Sequence, residues 1–183
     1  VKEGDGTMSL TADPNISGTF TVNAGVLELN HGGSTDGPKV INSGATLRVV
    51  GDNRIGDGQS VTVNAGGTYD LRGNDTIARL LGDGGIVTNG GAAAVTLTLN
   101  SATDASYAGV IQNGASTIAL TKGGTNTATL SGTSTYTGNT QISTGTLVVE
   151  GVNGSISGSA TVTIGDNNGN DEVLRLGNGT ENI

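Results

Sequence analysis

The sequence predicts an all-β chain wound as a parallel β-helix, a β-solenoid of about nine turns of roughly 20 residues each. Three observations point there. Gly, Thr, Asn and Ser make up half of the 183 residues, and only Phe20, Tyr69, Tyr107 and Tyr136 are aromatic. An ordinary globular core relies on large rings, so that composition argues against one. Apolar residues alternate with polar ones over short runs, and one brief pattern returns at an interval near 20.

Helices are excluded first. Each Gly inside a helix costs about 1 kcal/mol relative to Ala, and the longest Gly-free stretch runs only from Ala92 to Ala108. Within it Val95, Leu97 and Leu99 alternate with Thr96 and Thr98, the period of a strand. The same alternation marks Phe20–Val22, Leu27–Leu29, Leu47–Val49, Val61–Val63, Leu147–Val149, Val162–Ile164 and Leu174–Leu176. Gly, Asn, Asp or Ser closes each run, as turns require. Disorder is a poor alternative, because 33% hydrophobic content falls in regular short runs.

The recurring pattern places an apolar residue before Asn or Ser, a small residue and Gly, followed by alternating apolar positions. It reads Val22-Asn23-Ala24-Gly25, Ile41-Asn42-Ser43-Gly44, Val63-Asn64-Ala65-Gly66 and Ile142-Ser143-Thr144-Gly145. The glycines lie 19, 22 and 79 residues apart, and the last interval is close to four more periods. In-register turns would stack Asn23, Asn42 and Asn64 as an amide ladder along one corner, with Gly25, Gly44, Gly66 and Gly145 supplying its positive-φ bends.

A longer duplication accompanies the short one. A shift of 120 places Lys2 on Lys122, Gly4 on Gly124, Leu10 on Leu130, Gly18 on Gly138, Gly25 on Gly145 and Leu27 on Leu147. Residues 1–60 thus resemble 121–183, within one continuous β-helix spanning 1–183. The ends fall in mid-unit, so the parent chain is expected to continue in both directions.

Between Ala105 and Gly151 the pattern becomes more specific. Ala105-Ser-Tyr107-Ala-Gly109-Val-Ile111 leads to Leu120-Thr-Lys122-Gly-Gly, then Leu130-Ser-Gly132 and Thr135-Tyr136-Thr137-Gly138-Asn-Thr140, ending in Ile142-Ser-Thr-Gly145-Thr-Leu147. This resembles the autotransporter-associated β-strand repeat of bacterial type V passengers and related giant secreted proteins. A weaker copy covers Lys2 to Leu29, with Ile16 where Tyr136 stands. The resemblance implies a right-handed parallel β-helix displayed outside the cell, and it brings no catalytic residues.

Chemistry-bearing residues are few. A net charge of −8 with scattered basic residues leaves no footprint for nucleic acid or an anionic membrane. There is no Cys, hence no thiol nucleophile and no disulfide. No apolar run reaches the length of a membrane helix, so membrane insertion by this segment is not expected. His31, in Asn30-His31-Gly32-Gly33, is expected in a solvent-exposed turn. Asp166, Asn168, Asn170 and Asp171 form the densest oxygen cluster. Their alternation suggests a weak Ca²⁺ loop, but the central Gly and terminal Glu of such a loop are missing, so a hydrated insertion is the favoured reading. No other cofactor is expected. Tyr69, Tyr107 and Tyr136 fit packing positions better than sugar platforms.

Three function classes remain. The first is an extracellular structural or adhesive segment, a rigid stalk or display scaffold meeting a host-cell, matrix or glycan surface. The second is a fibre subunit whose solenoid ends stack end to end on like subunits or on neighbouring repeats. The third, a polysaccharide-active β-helix enzyme, needs clustered carboxylates and sugar-binding rings that the sequence does not supply. The first class is favoured, without catalysis.

Overall fold

The computed structural model describes residues 1–12, 17–165 and 171–177. Its strands follow the chain in laps. β1 (Thr7–Leu10) and β2 (Phe20–Val22) are followed by β3 (Gly25–Leu29) and β4 (Lys39–Ile41), then β5 (Ala45–Val50) and β6 (Ser60–Val63). Next come β7 (Thr68–Arg72), β8 (Asp75–Ile77) and β9 (Arg79–Leu81), then β10 (Ile86–Thr88), β11 (Val95–Asn100) and β12 (Ala105–Tyr107). β13 (Val110–Ile111), β14 (Ile118–Gly123) and β15 (Thr127–Leu130) precede β16 (Thr140–Ile142), β17 (Gly145–Val149), β18 (Val162–Ile164) and β19 (Glu172–Leu176). The described residues contain no helix.

Every strand pairing is parallel, and each strand lies on its counterpart of the preceding lap, which makes three faces. The first face stacks β1, β3, β5, β7, β10 and β13. The second starts as a bridge between Thr35 and Ile55 and becomes a sheet of β8, β11, β14, β16 and β18. The third runs from Lys2 through β2, β4, β6 and β9, then by a Gly82–Tyr107 bridge into β12, β15, β17 and β19. Alternation along each strand decides what enters the bore. In β5 Ala45, Leu47 and Val49 are buried between half-exposed neighbours, and β11 repeats this with Val95, Leu97 and Leu99. Like stacks on like: Leu27 on Leu47, then Tyr69 on Val87 and Val87 on Ile111. Each buried aliphatic contributes about 1.5–3 kcal/mol, so the stack replaces a central core.

The solenoid has about seven turns, not nine. Laps near the start do close within about 20 residues, as Phe20 on Lys39 and Ser60 on Arg79 show. Later laps carry corner extensions: Gly82 meets Tyr107, Ala105 meets Ala128, and Gly145 meets Glu172.

A second expectation also changes. The four pattern glycines do not share one corner. Gly25, Gly44 and Gly66 turn the chain from the third face into the first, whereas Gly145 turns it from the second face into the third. The 120-residue duplication is therefore not a whole number of laps, and its second copy sits one face back around the axis. The local fold is unchanged by that rotation. β1 pairs with β3 as Thr7↔Val26 through Leu10↔Leu29, and β15 pairs with β17 as Thr127↔Thr146 through Leu130↔Val149.

Candidate functional site at the stacked corners

The polar side chains that organise the solenoid lie at its corners. A strand leaving one face must turn sharply, and the carbonyls at the bend lose their ladder partners. Lys2 answers this: its Nζ donates to the carbonyls of Glu3 (2.7 Å), Gly4 (2.5 Å) and Ala24 (3.0 Å). Lys122 Nζ donates to Gly123 (2.5 Å), Gly124 (2.8 Å) and Thr144 (3.1 Å), each acceptor being 120 residues on from its counterpart. Lys39 does the same elsewhere, donating to the carbonyls of Thr35, Asp36 and Gly37, with its ammonium 4.7 Å from the Phe20 ring centre. All three lysines are buried. Burial lowers the Lys39 and Lys122 amino groups to about 8, against an upward pull from Asp36 and Asp75 on the first and from Asp104 on the second.

Gly25 and Gly145 are the bends themselves, with φ of 64° and 73°. A Cβ at Gly25 would lie 2.5 Å from the carbonyl oxygens of Gly4 and Gly6, and one at Gly145 would lie 2.5 Å from that of Gly124. Gly44 and Gly66 also have positive φ.

Asn23, Asn42 and Asn64 stand in line above that first corner. Asn64 Nδ2 donates to Asn42 Oδ1 (2.7 Å), Asn42 Nδ2 to Asn23 Oδ1 (2.6 Å), and Asn23 Nδ2 to Glu3 Oε1 (2.7 Å). The amides form a continuous chain over successive laps, closed at one end by a carboxylate. The pattern position passes to Ser143 in the second copy, and the amide row does not extend to Gly145.

On the outside of the first face a charged row follows the same register. Arg48 bonds Glu28 (3.3 Å) below and Asp70 (3.0 Å) above, and Arg72 reaches Asp70 at 2.9 Å. Asp70 also accepts the Gly90 amide.

The rings are in the bore. Tyr69, Tyr107 and Tyr136 are fully buried, and their hydroxyls bond Asp75, the Gly85 carbonyl and Thr140. Burial pushes the Tyr136 hydroxyl up to about 12 and the other two well above the usual phenol range. None of the three offers a stacking platform to a sugar. His31 differs from expectation, for it is buried rather than exposed. The inward alternation of Leu27 and Leu29 simply continues for one more step beyond the end of β3.

Of the proposed calcium loop, Asp166, Asn168 and Asn170 lie outside the described residues, and Asp171 is exposed. Among the described residues no three His, Asp or Glu side chains gather where they could hold a metal ion.

Sequence reasoning missed Lys39 and Asp75 as interior residues. Both look like turn residues in Gly37-Pro38-Lys39 and Asn74-Asp75. The available signal was register: Lys39 aligns with Val61, and Asp75 alternates with Ile77.

Residues 1–29 and 120–149 match the family model of the passenger-associated-transport-repeat. With the solenoid fold, the match fits an autotransporter passenger repeat. Together the two segments cover about a third of the chain, and each spans a lysine cap, a positive-φ glycine and the strand pair that follows. The match of the second repeat starts at Leu120, so the resemblance seen in Ala105–Ala119 lies outside it. Comparison with curated proteins and with solved structures finds no match.

Proposed function

We propose that this chain is a rigid, non-catalytic segment of a secreted or surface-held passenger, acting as a stalk or display scaffold. The observation that carries this is the parallel stack of laps among the described residues. The bore and the amide row are built between neighbouring laps, and the Lys2 and Lys122 caps each reach one carbonyl of the next lap, which suits a rod that transmits position rather than a cleft that performs chemistry. The passenger repeats support placement outside the cell, and a host-cell, matrix or glycan surface is the expected contact. Intact producing cells test this with antibody raised against the chain. Labelling without lysis supports it, and labelling only after lysis overturns it. In parallel, depolymerisation of any member of a polysaccharide panel by the purified chain would overturn the non-catalytic part.

A second reading is end-to-end stacking into a fibre. Its support is the apolar character of both terminal laps: Met8 and Ile164 are about half exposed, and Val173 and Leu176 are exposed beside them. In a longer chain adjoining laps of the same polypeptide would cover these edges. Elongation that rises with concentration in sedimentation and electron microscopy, and disappears in Met8→Lys, supports stacking; a monomer at all concentrations overturns it.

A further inference from the structure

Asp75 is out of character with its surroundings. It is 1% exposed, on the inward side of β8, stacked under Leu97 and sharing its strand with buried Ile77. The place is a seam. Below it the second face is only the Thr35–Ile55 bridge, and from β8 upward it is a full sheet.

A carboxyl in such a bore needs partners. Asp75 Oδ2 accepts the Tyr69 hydroxyl at 3.1 Å, and Oδ1 takes a long contact of 3.4 Å from the Ile55 amide. Among the described residues no ion pair includes it. The buried cation that interacts with it, Lys39, already spends its amino group on the carbonyls of Thr35, Asp36 and Gly37. A buried carboxylate with no ion pair costs far more than the neutral acid in the same place.

We propose that Asp75, enclosed with Tyr69 and Lys39 at this seam, is an acid-strengthened latch that holds the lower laps to the upper sheet more firmly in mildly acidic medium than at neutral pH. The neighbouring groups pull both ways, and burial outweighs them. Burial raises the Asp75 carboxyl to about 7, while the Tyr69 hydroxyl and the Ile55 and Thr76 amides draw it down and Asp57 pushes it further up. Lys39, from β4, is pulled upward by Asp36 and Asp75, an attraction that favours the carboxylate and opposes the burial effect. β11 presents only Leu97 at this level. For an acid raised in the folded state, stabilisation is complete below the unfolded value near 4 and is lost as pH climbs through the folded one. Every tenfold weakening of the acid on folding is worth about tenfold in the folding equilibrium, so the latch contributes at most roughly a thousandfold between about pH 4 and 8. This reading is independent of what the passenger contacts.

Denaturant unfolding of the whole chain, with Asp75→Asn alongside, tests it. The ratio of wild-type to variant folding constants is expected to fall at least about tenfold from about pH 4.5 to 8; a smaller change overturns the latch. Should the Asn variant fail to fold, the carboxyl is titrated directly by carbon NMR in the wild type. A midpoint above about 5.5 upholds the latch and a lower one overturns it. Tyr69→Phe removes a donor to the carboxylate and should move that midpoint upward.

Discussion

Lys2 and Lys122, 120 residues apart in sequence, close equivalent corners on two different faces of the solenoid, each donating to three equivalent carbonyls. The repeat is thus a transferable corner. What is duplicated is the way a strand leaves one face and enters the next, and the rotation about the axis is left to the number of residues in between.

Lys122→Met should therefore destabilise the chain by about 1–3 kcal/mol, the cost of leaving buried acceptors unpaired. The amino group, lowered to about 8 by burial, has a contribution that is complete above its unfolded value and is lost as pH falls through 8. The wild type should gain on the Met variant as pH is raised from about 7.5 to 10, measured by denaturant midpoints in parallel. A gap that narrows with rising pH would show that the ammonium form is the favoured one.

The amide row predicts coupling between laps. Asn42→Ala breaks a bond to Asn23 and another to Asn64, and should cost about 1–2 kcal/mol. A double-mutant cycle of Asn23→Ala with Asn42→Ala should show non-additivity of about 0.5–1 kcal/mol. Additive losses would mean that each amide serves only its own turn.

Gly145→Ala places a methyl 2.5 Å from the Gly124 oxygen at a φ of 73°. The expected loss is about 2–4 kcal/mol from clash and strain together. Gly32→Ala, where a Cβ meets nothing within 4 Å, is the control and should stay within about 0.5 kcal/mol. Thermal melts of the two variants decide this.

The charged row on the first face is only partly open to solvent. Its Arg48 and Glu28 side chains are 25% and 20% exposed and that of Asp70 only 7%, but Arg72 still pairs with Asp70 when Arg48 is removed, so Arg48→Met should cost about 1–2 kcal/mol at low salt. The cost should shrink as salt rises, which unfolding at two ionic strengths will show.

Much of this architecture is written in local chemistry. Alternation at Val95–Leu99, the amide spacing of Asn23, Asn42 and Asn64, and the lysine pair all follow from residue types at fixed intervals. The lap count and the corner of Gly145 do not. They depend on loop insertions such as the one between Gly82 and Tyr107, whose length a 20-residue period does not specify. Asp75 and His31 were hidden for a related reason. Polar residues beside Gly and Asn look like turns, and only the register of the neighbouring lap shows that their side chains enter the bore.

Parallel, in-register laps are the claim on which everything else rests, and a cysteine-free chain allows a direct measurement. Thr98 and Thr121 are register partners on adjacent laps, and Gln141 is the partner of Thr121 one lap further. Adjacent strands lie about 4.8 Å apart, within disulfide reach, and strands two laps apart do not. A Thr98→Cys, Thr121→Cys pair should oxidise rapidly to an intramolecular disulfide, while Thr98→Cys with Gln141→Cys should stay reduced under the same conditions. Equal crosslinking of both pairs, or crosslinking of the second alone, would contradict the stacked solenoid.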